Sequence, residues 1–188
     1  MRVIGGELRS RRLKTLPGLD VRPTPDRLRE ALFNVLAPRI EGSLFVDAYA
    51  GTGAVGVEAL SRGAARAILI ERSPKAAGLI AENLAALGLT GQAELIRGAA
   101  VKTLERLGGR LREAIVFLDP PYPLEREYGA ALTALSELGC GLVIAQAGAK
   151  QPLPEHCGAL HRTRVLKQGS NVLAFYAPAE GANTDARQ

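Results

Sequence analysis

Leu44-Phe45-Val46-Asp47-Ala48-Tyr49-Ala50-Gly51-Thr52-Gly53-Ala54-Val55-Gly56 begins as a short apolar run, passes through closely spaced glycines and continues as helical sequence. Glycines at 51, 53 and 56 permit a tight turn and let a ligand approach the backbone. The spacing G-x-G-x-x-G is weak by itself, because a plain strand-to-helix turn can also produce it. Its weight comes from its surroundings. Apolar runs at 44–48, 67–71, 93–97, 114–119 and 142–146 alternate with helical segments at approximately 53–62, 74–87, 99–107 and 125–138. Strands without polar alternation, separated by helices, predict a parallel sheet covered on both faces. Two further runs, near 160–167 and 171–177, flank the tight turn Gln168-Gly169-Ser170 and predict an antiparallel hairpin at the end of the sheet.

Upstream of this core, Pro23-Thr24-Pro25 predicts a helix start, with Thr24 as N-cap and Pro25 at the first helical position. Leu28, Ala31, Leu32, Val35 and Leu36 give that helix one apolar face as far as Pro38, with Arg27 and Arg29 away from its centre. The first 20 residues read as an extended basic segment with turns at Gly5-Gly6 and Pro17-Gly18. Charge is unevenly placed: residues 1–39 hold nine arginines and lysines against four acids, which accounts for the whole net charge of +5. A basic arm on a neutral body suits phosphate binding, although a solvated basic face has the same composition.

No apolar run approaches the roughly 18 residues needed to span a bilayer, and the N-terminus lacks the apolar core of a secretory signal. A cytoplasmic protein is expected. Cys140 and Cys157 are far apart and form no C-x-x-C. Neither a disulfide framework nor a metal site is expected, even with Cys157 between His156 and His161.

The candidate chemistry lies at strand ends. Glu71 closes the second run, where a carboxylate can accept both hydroxyls of an adenosine ribose in a nicotinamide or an S-adenosylmethionine site. Asp47 precedes the glycine turn, where it could organise the loop and hold a cationic methionine end, but would repel a pyrophosphate. Asp119-Pro120-Pro121-Tyr122 ends the fourth run, at the sheet edge where open α/β folds place ligands. The two prolines remove N–H donors, leaving the Asp119 carboxylate and the Pro120 carbonyl as acceptors. Two acceptors gripping the hydrogens of an exocyclic base NH2 favour a pyramidal nitrogen and aim its lone pair at a methyl sulfonium. Tyr122 offers a face on which a splayed-out base can stack.

These stretches, with Arg2 to Gly6, Arg9 to Leu13, Arg22 to Asn34 and Asp47 to Gly63, resemble the bacterial 16S rRNA guanine-N2-methyltransferases. Those enzymes act on one guanine in the head of the small ribosomal subunit. The resemblance covers most of residues 1–122, and its N-terminal motifs are the specific part. It implies a seven-stranded methyltransferase fold, S-adenosylmethionine as donor, and an assembled or assembling small subunit as substrate. It also implies that the segment around Arg22–Arg27 closes over the methionine end of the cofactor. The chain departs from the family pattern in three places: Arg97-Gly98-Ala99 lacks the usual Asp or Asn for adenine, Gln146 stands where many relatives carry an acid, and Tyr122 replaces a Phe found in some.

The expected architecture is therefore α/β and Rossmann-like, a mostly parallel sheet with a C-terminal antiparallel hairpin. Residues 1–39 form a basic arm and helix packed on the core, 40–177 the catalytic domain and 178–188 a disordered tail. Catalysis is assigned to Asp119, Pro120, Pro121 and Tyr122. Cofactor binding is assigned to Thr24, Asp47, Ala50, Gly51, Thr52, Gly53, Glu71, Arg72, Ala99 and Asp119. RNA contact is assigned to Arg9, Arg11, Arg12, Arg22 and Arg27. A monomer acting on 16S rRNA is expected. The alternatives are an adenine-N6 methyltransferase acting on DNA or RNA, which for DNA normally needs a larger target-reading domain, and a non-catalytic RNA-binding assembly factor. A nicotinamide oxidoreductase is the weakest rival.

Overall fold

A computed structural model of the chain describes residues 1–15, 24–121 and 126–179. The expected Pro17-Gly18 turn, Arg22, Tyr122 and residues 180–188 lie outside the described residues. Helix α1 spans Asp26–Ile40, and then strands and helices alternate: β1 (Leu44–Asp47), α2 (Ala54–Ser61), β2 (Arg66–Glu71), α3 (Pro74–Ala86), β3 (Ala93–Arg97), α4 (Ala100–Leu107), β4 (Ile115–Leu118), α5 (Arg126–Glu137) and β5 (Leu142–Gly148). The chain then turns antiparallel through β6 (His156–Cys157), β7 (Leu160–Gln168) and β8 (Asn171–Pro178). The sheet runs β3-β2-β1-β4-β5-β8-β7-β6, so it has eight strands where seven are expected. The addition is the two-residue β6, too short to leave a hydrophobic pattern, which pairs His156 with His161 and Cys157 with Leu160.

The near-continuous apolar strands follow from two covered faces. Phe45, Leu69, Phe117, Ile144 and Phe175 pack with α1, α2 and α3. Their neighbours Val46, Ile70, Val116, Val143 and Tyr176 pack with α4 and α5. The strand order reverses between β1 and β4, which opens a crevice at their carboxyl ends.

Three expectations for α1 are corrected. Thr24 does not cap it: Pro25 holds the cap position without a side-chain bond, and the Thr24 hydroxyl donates to Asp119 instead. The helix also passes through Pro38 to Ile40. Arg29 is the larger departure, since it lies not off the apolar face but fully buried beside Leu28, Leu32 and Phe33. Its Nη2 donates to the Arg2 carbonyl and to Asp26, and burial pushes its pKa down against the opposing charges of Glu58 and Asp26.

Those bonds fold the N-terminal segment, which is not simply extended. Val3 N–H donates to the Arg11 carbonyl and Ser10 N–H to the Val3 carbonyl, closing a small antiparallel loop. Val3 and Leu13 enter the core with α1 and α2. Glu58, fully buried in α2, accepts from the backbone N–H groups of Ile4 and Gly5 at 2.8 Å each and from Arg62 Nε at 2.9 Å. At Gly6 the backbone has φ +77°, and an added Cβ would fall 1.7 Å from the Ser61 carbonyl oxygen. Only glycine permits that approach. Further along, Asn83 in α3 bonds the backbone of Lys14 in both directions.

Candidate active site at the carboxyl edge

β1 delivers Asp47 to the crevice, where it is 1% exposed and accepts the Gly56 N–H at 3.1 Å. The bond ties the strand end to the first turn of α2 and gives the loop its shape. Within the loop, Gly53 stands at φ +78° immediately before α2, and its N–H donates to the Ala50 carbonyl at 2.7 Å. A Cβ there would press Ile80 and Leu69 at 3.2–3.3 Å.

Glu71, at the end of β2, braces the same loop. Its two oxygens accept from Gly51 N–H at 2.8 Å and Ser73 N–H at 2.7 Å. Each carboxylate oxygen has a second lone pair, so this bracing is compatible with accepting ligand hydroxyls. Ala50, Gly51 and Gly53 are buried and Thr52 is half-buried, while Arg72 and Ala99 are exposed just past the ends of β2 and β3.

β4 delivers Asp119. Its Oδ2 accepts from Gln146 Nε2 at 3.0 Å, and Thr24 Oγ1 approaches it at 3.4 Å. Pro120 is buried and Pro121 exposed. Burial pushes the Asp119 carboxyl up to about 7 against the opposing Thr24 bond. Asp47 is also raised to about 7, first by burial and then by the nearby charges of Asp119 and Glu71, with the Gly56 and Tyr49 N–H groups opposing. Among the described residues, no lysine or arginine forms an ion pair with any of these three carboxylates. Three clustered acids suit a cationic ligand, which would favour their charged forms. S-adenosylmethionine carries a sulfonium and an ammonium, and so fits this set of acceptors. A pyrophosphate does not.

Sequence reasoning missed Gln146 as a partner of Asp119, although a polar residue closing an apolar strand is the signal that marked Asp119 itself. Tyr128 was also missed; its hydroxyl donates to the Gln146 carbonyl and clamps α5 to β5. Arg9, Arg11, Arg12 and Arg27 are exposed, and none forms an ion pair among the described residues. Arg2, Ser10, Arg12 and Asp26 line one open cleft of about 500 Å³ together with Met1 and Leu13. Arg12 and the start of α1 therefore share one face.

Residues 1–177 match the family described as conserved hypothetical protein 95. YlbH of Bacillus subtilis, named for rRNA methyl transfer, is 36% identical over 181 residues, covering 94% of this chain and 98% of that protein. The ribosomal RNA small subunit methyltransferase D of Escherichia coli is 43% identical over 122 residues, 65% of this chain and 60% of the relative. Among solved structures, yhhF of Escherichia coli, described as a methyltransferase, superposes with a TM-score of 0.83 at 33% identity. The superposition covers 95% of this chain and 97% of that one.

Proposed function

The chain belongs to the conserved hypothetical protein 95 family and is kin to small-subunit rRNA methyltransferases, and on that premise we propose that it methylates the exocyclic N2 of a guanine in 16S rRNA. The observation that carries the reading is Asp119, an acceptor carboxylate held by Gln146 and Thr24 in the crevice that the glycine loop also lines. When bound, S-adenosylmethionine would supply the electrophilic methyl group, the S–CH3 bond breaking as N–CH3 forms and S-adenosylhomocysteine leaving. Asp47, Glu71 and the loop from Ala50 to Gly53 hold the cofactor, with Thr24, Arg72 and backbone groups near Ala99 at the margins. Asp119 and the Pro120 carbonyl take the amine hydrogens, orient the nitrogen lone pair and exclude water, while Pro121 stiffens the loop and Tyr122 stacks the base. The amine becomes acidic only as the methyl arrives, so Asp119 can accept its proton late and no strong base is needed beforehand. Positioning is worth about 7–11 kcal/mol in well-oriented reactions and supplies most of the acceleration.

The exposed Arg9, Arg11, Arg12 and Arg27, with Arg22, contact RNA phosphates. They provide affinity, and the folded RNA supplies selectivity. No helix among the described residues is long and apolar enough to cross a membrane. The protein works in the cytoplasm, as a monomer, on the small subunit or an assembly intermediate. The test is transfer of labelled methyl from S-adenosylmethionine to purified unmethylated small subunits, followed by nucleoside analysis. N2-methylguanosine in the rRNA is the expected product. Label appearing only as N6-methyladenine, in RNA or DNA, refutes the guanine reading, and absence of transfer despite RNA binding favours a non-catalytic assembly factor.

A further inference from the structure

Gln146 closes β5 beside Asp119, and its amide is only half used. Nε2 donates to Asp119 Oδ2 at 3.0 Å. Oε1 is buried and has no hydrogen-bond partner among the described residues, on a residue only 6% exposed. Buried carbonyl oxygens are nearly always paired, so an orphan at this place needs a reason. The amide cannot simply be turned round, because Oε1 would then oppose the Asp119 carboxylate, acceptor against acceptor. Its backbone is fixed as well. The Tyr128 hydroxyl donates to the Gln146 carbonyl, and β5 pairs on both sides, Ala145 with Leu118 of β4 and Gln146 with Leu173 of β8.

Asp119 is correspondingly one-sided. Gln146 and Thr24 both reach its Oδ2, which leaves Oδ1 for a substrate hydrogen. The Nε2–Oδ2 bond thus ties together two side chains that each keep an acceptor unused by the described residues, Asp119 Oδ1 and Gln146 Oε1. Guanine presents two adjacent donors on its Watson–Crick edge, the N2 amine and N1–H. Adenine and cytosine place an unprotonated ring nitrogen, an acceptor, beside their amine. We propose that Gln146 Oε1 accepts the N1–H of the target guanine while Asp119 Oδ1 takes an N2 hydrogen, so that Gln146 selects guanine over the other amino-bearing bases.

This assignment rests on the guanine-N2 reading above and adds to it the residue that sets base specificity. A correct base fills the orphan acceptor, whereas a wrong one brings a lone pair against it and leaves it unpaired. Sites built this way reject analogues that lack the donor.

The experiment uses the full chain and reconstituted small subunits, whose rRNA carries a ligated synthetic segment with either guanosine or 2-aminopurine riboside at the methylated position. 2-Aminopurine keeps the amine and lacks N1–H. The wild-type protein is expected to prefer guanosine in kcat/KM by about ten- to a hundred-fold. Gln146→Met, similar in length and without an acceptor oxygen, is expected to bind S-adenosylhomocysteine as the wild type does. It should lose a comparable factor on guanosine and use the two RNAs about equally. Equal use of both RNAs by the wild type overturns the assignment without reference to any variant, as does a guanosine preference unchanged in Gln146→Met. If the wild type forms no N2-methylguanosine on the guanosine RNA, the guanine-N2 reading itself fails.

Discussion

Glu58 makes the link between the N-terminal loop and the catalytic core open to direct test. Its carboxylate is fully buried and accepts three hydrogen bonds, from Ile4 N–H, Gly5 N–H and Arg62 Nε. Glu58→Ala leaves all three donors without their acceptor and deprives buried Arg29 of one of the two carboxylates that favour its charge. Bonds to a charged group contribute about 1.5–3 kcal/mol each, but their sum overstates the effect because the loop can lift and rehydrate its N–H groups. Breaking a buried pair by removing one partner costs about 3–5 kcal/mol, and that is the expected drop in unfolding free energy. Urea denaturation measures it, and hydrogen exchange at Ile4 and Gly5 shows where the weakening occurs. Both amides should exchange far faster in the variant, while β1 and β4 remain protected. A drop below about 1 kcal/mol, with Ile4 and Gly5 still protected, would refute the claim that Glu58 docks the loop.

Asp119→Ala should reduce methyl transfer by at least about a hundred-fold, the scale of losing one preorganised polar group at a reacting centre, with S-adenosylmethionine affinity changed only a few-fold; calorimetric binding that collapses would make the cofactor, not the amine, the main partner of Asp119. Binding of S-adenosylmethionine should release protons at pH 6, because Asp47 and Asp119 titrate near 7 and a cation beside them favours ionisation. Affinity should then climb between about pH 5 and 7 and level off above, and titrations in buffers of different ionisation heat that show proton uptake would contradict it. Replacing Arg9, Arg11 and Arg12 together with glutamine should lower the slope of log affinity against log salt by about 2–3, near 0.7–0.9 for each phosphate no longer neutralised, and an unchanged slope would remove the arm from the RNA interface.

The alternation of apolar runs with helical segments was enough to predict the doubly covered sheet, because strands buried on both faces cannot carry polar alternation. Strand ends were equally legible. Asp47, Glu71 and Asp119 each interrupt an apolar run where the chain leaves the sheet, and in a parallel sheet all such ends lie on one edge. Less visible was any pairing between distant segments. Thr24 has the local signature of a helix cap, yet it is drawn to Asp119 across 95 positions of sequence, where its hydroxyl donates to a carboxylate instead of accepting from the N–H groups of the helix start.

Arg29 and Glu58 show the same limit from the core side. Local periodicity puts a charge in solvent, and neither residue obeys it, because each finds backbone groups and opposite charge from another segment in the interior. The order of elements, the glycine turn and the edge on which the acids gather could all be read along the chain, since they follow from local sterics and the period of hydrophobic burial. Which side chain opposes which emerged only on folding. The packed strands alone leave Gln146 with one amide end on Asp119 and the other unpaired, because hydrogen-bond satisfaction depends on where separate strands bring their ends.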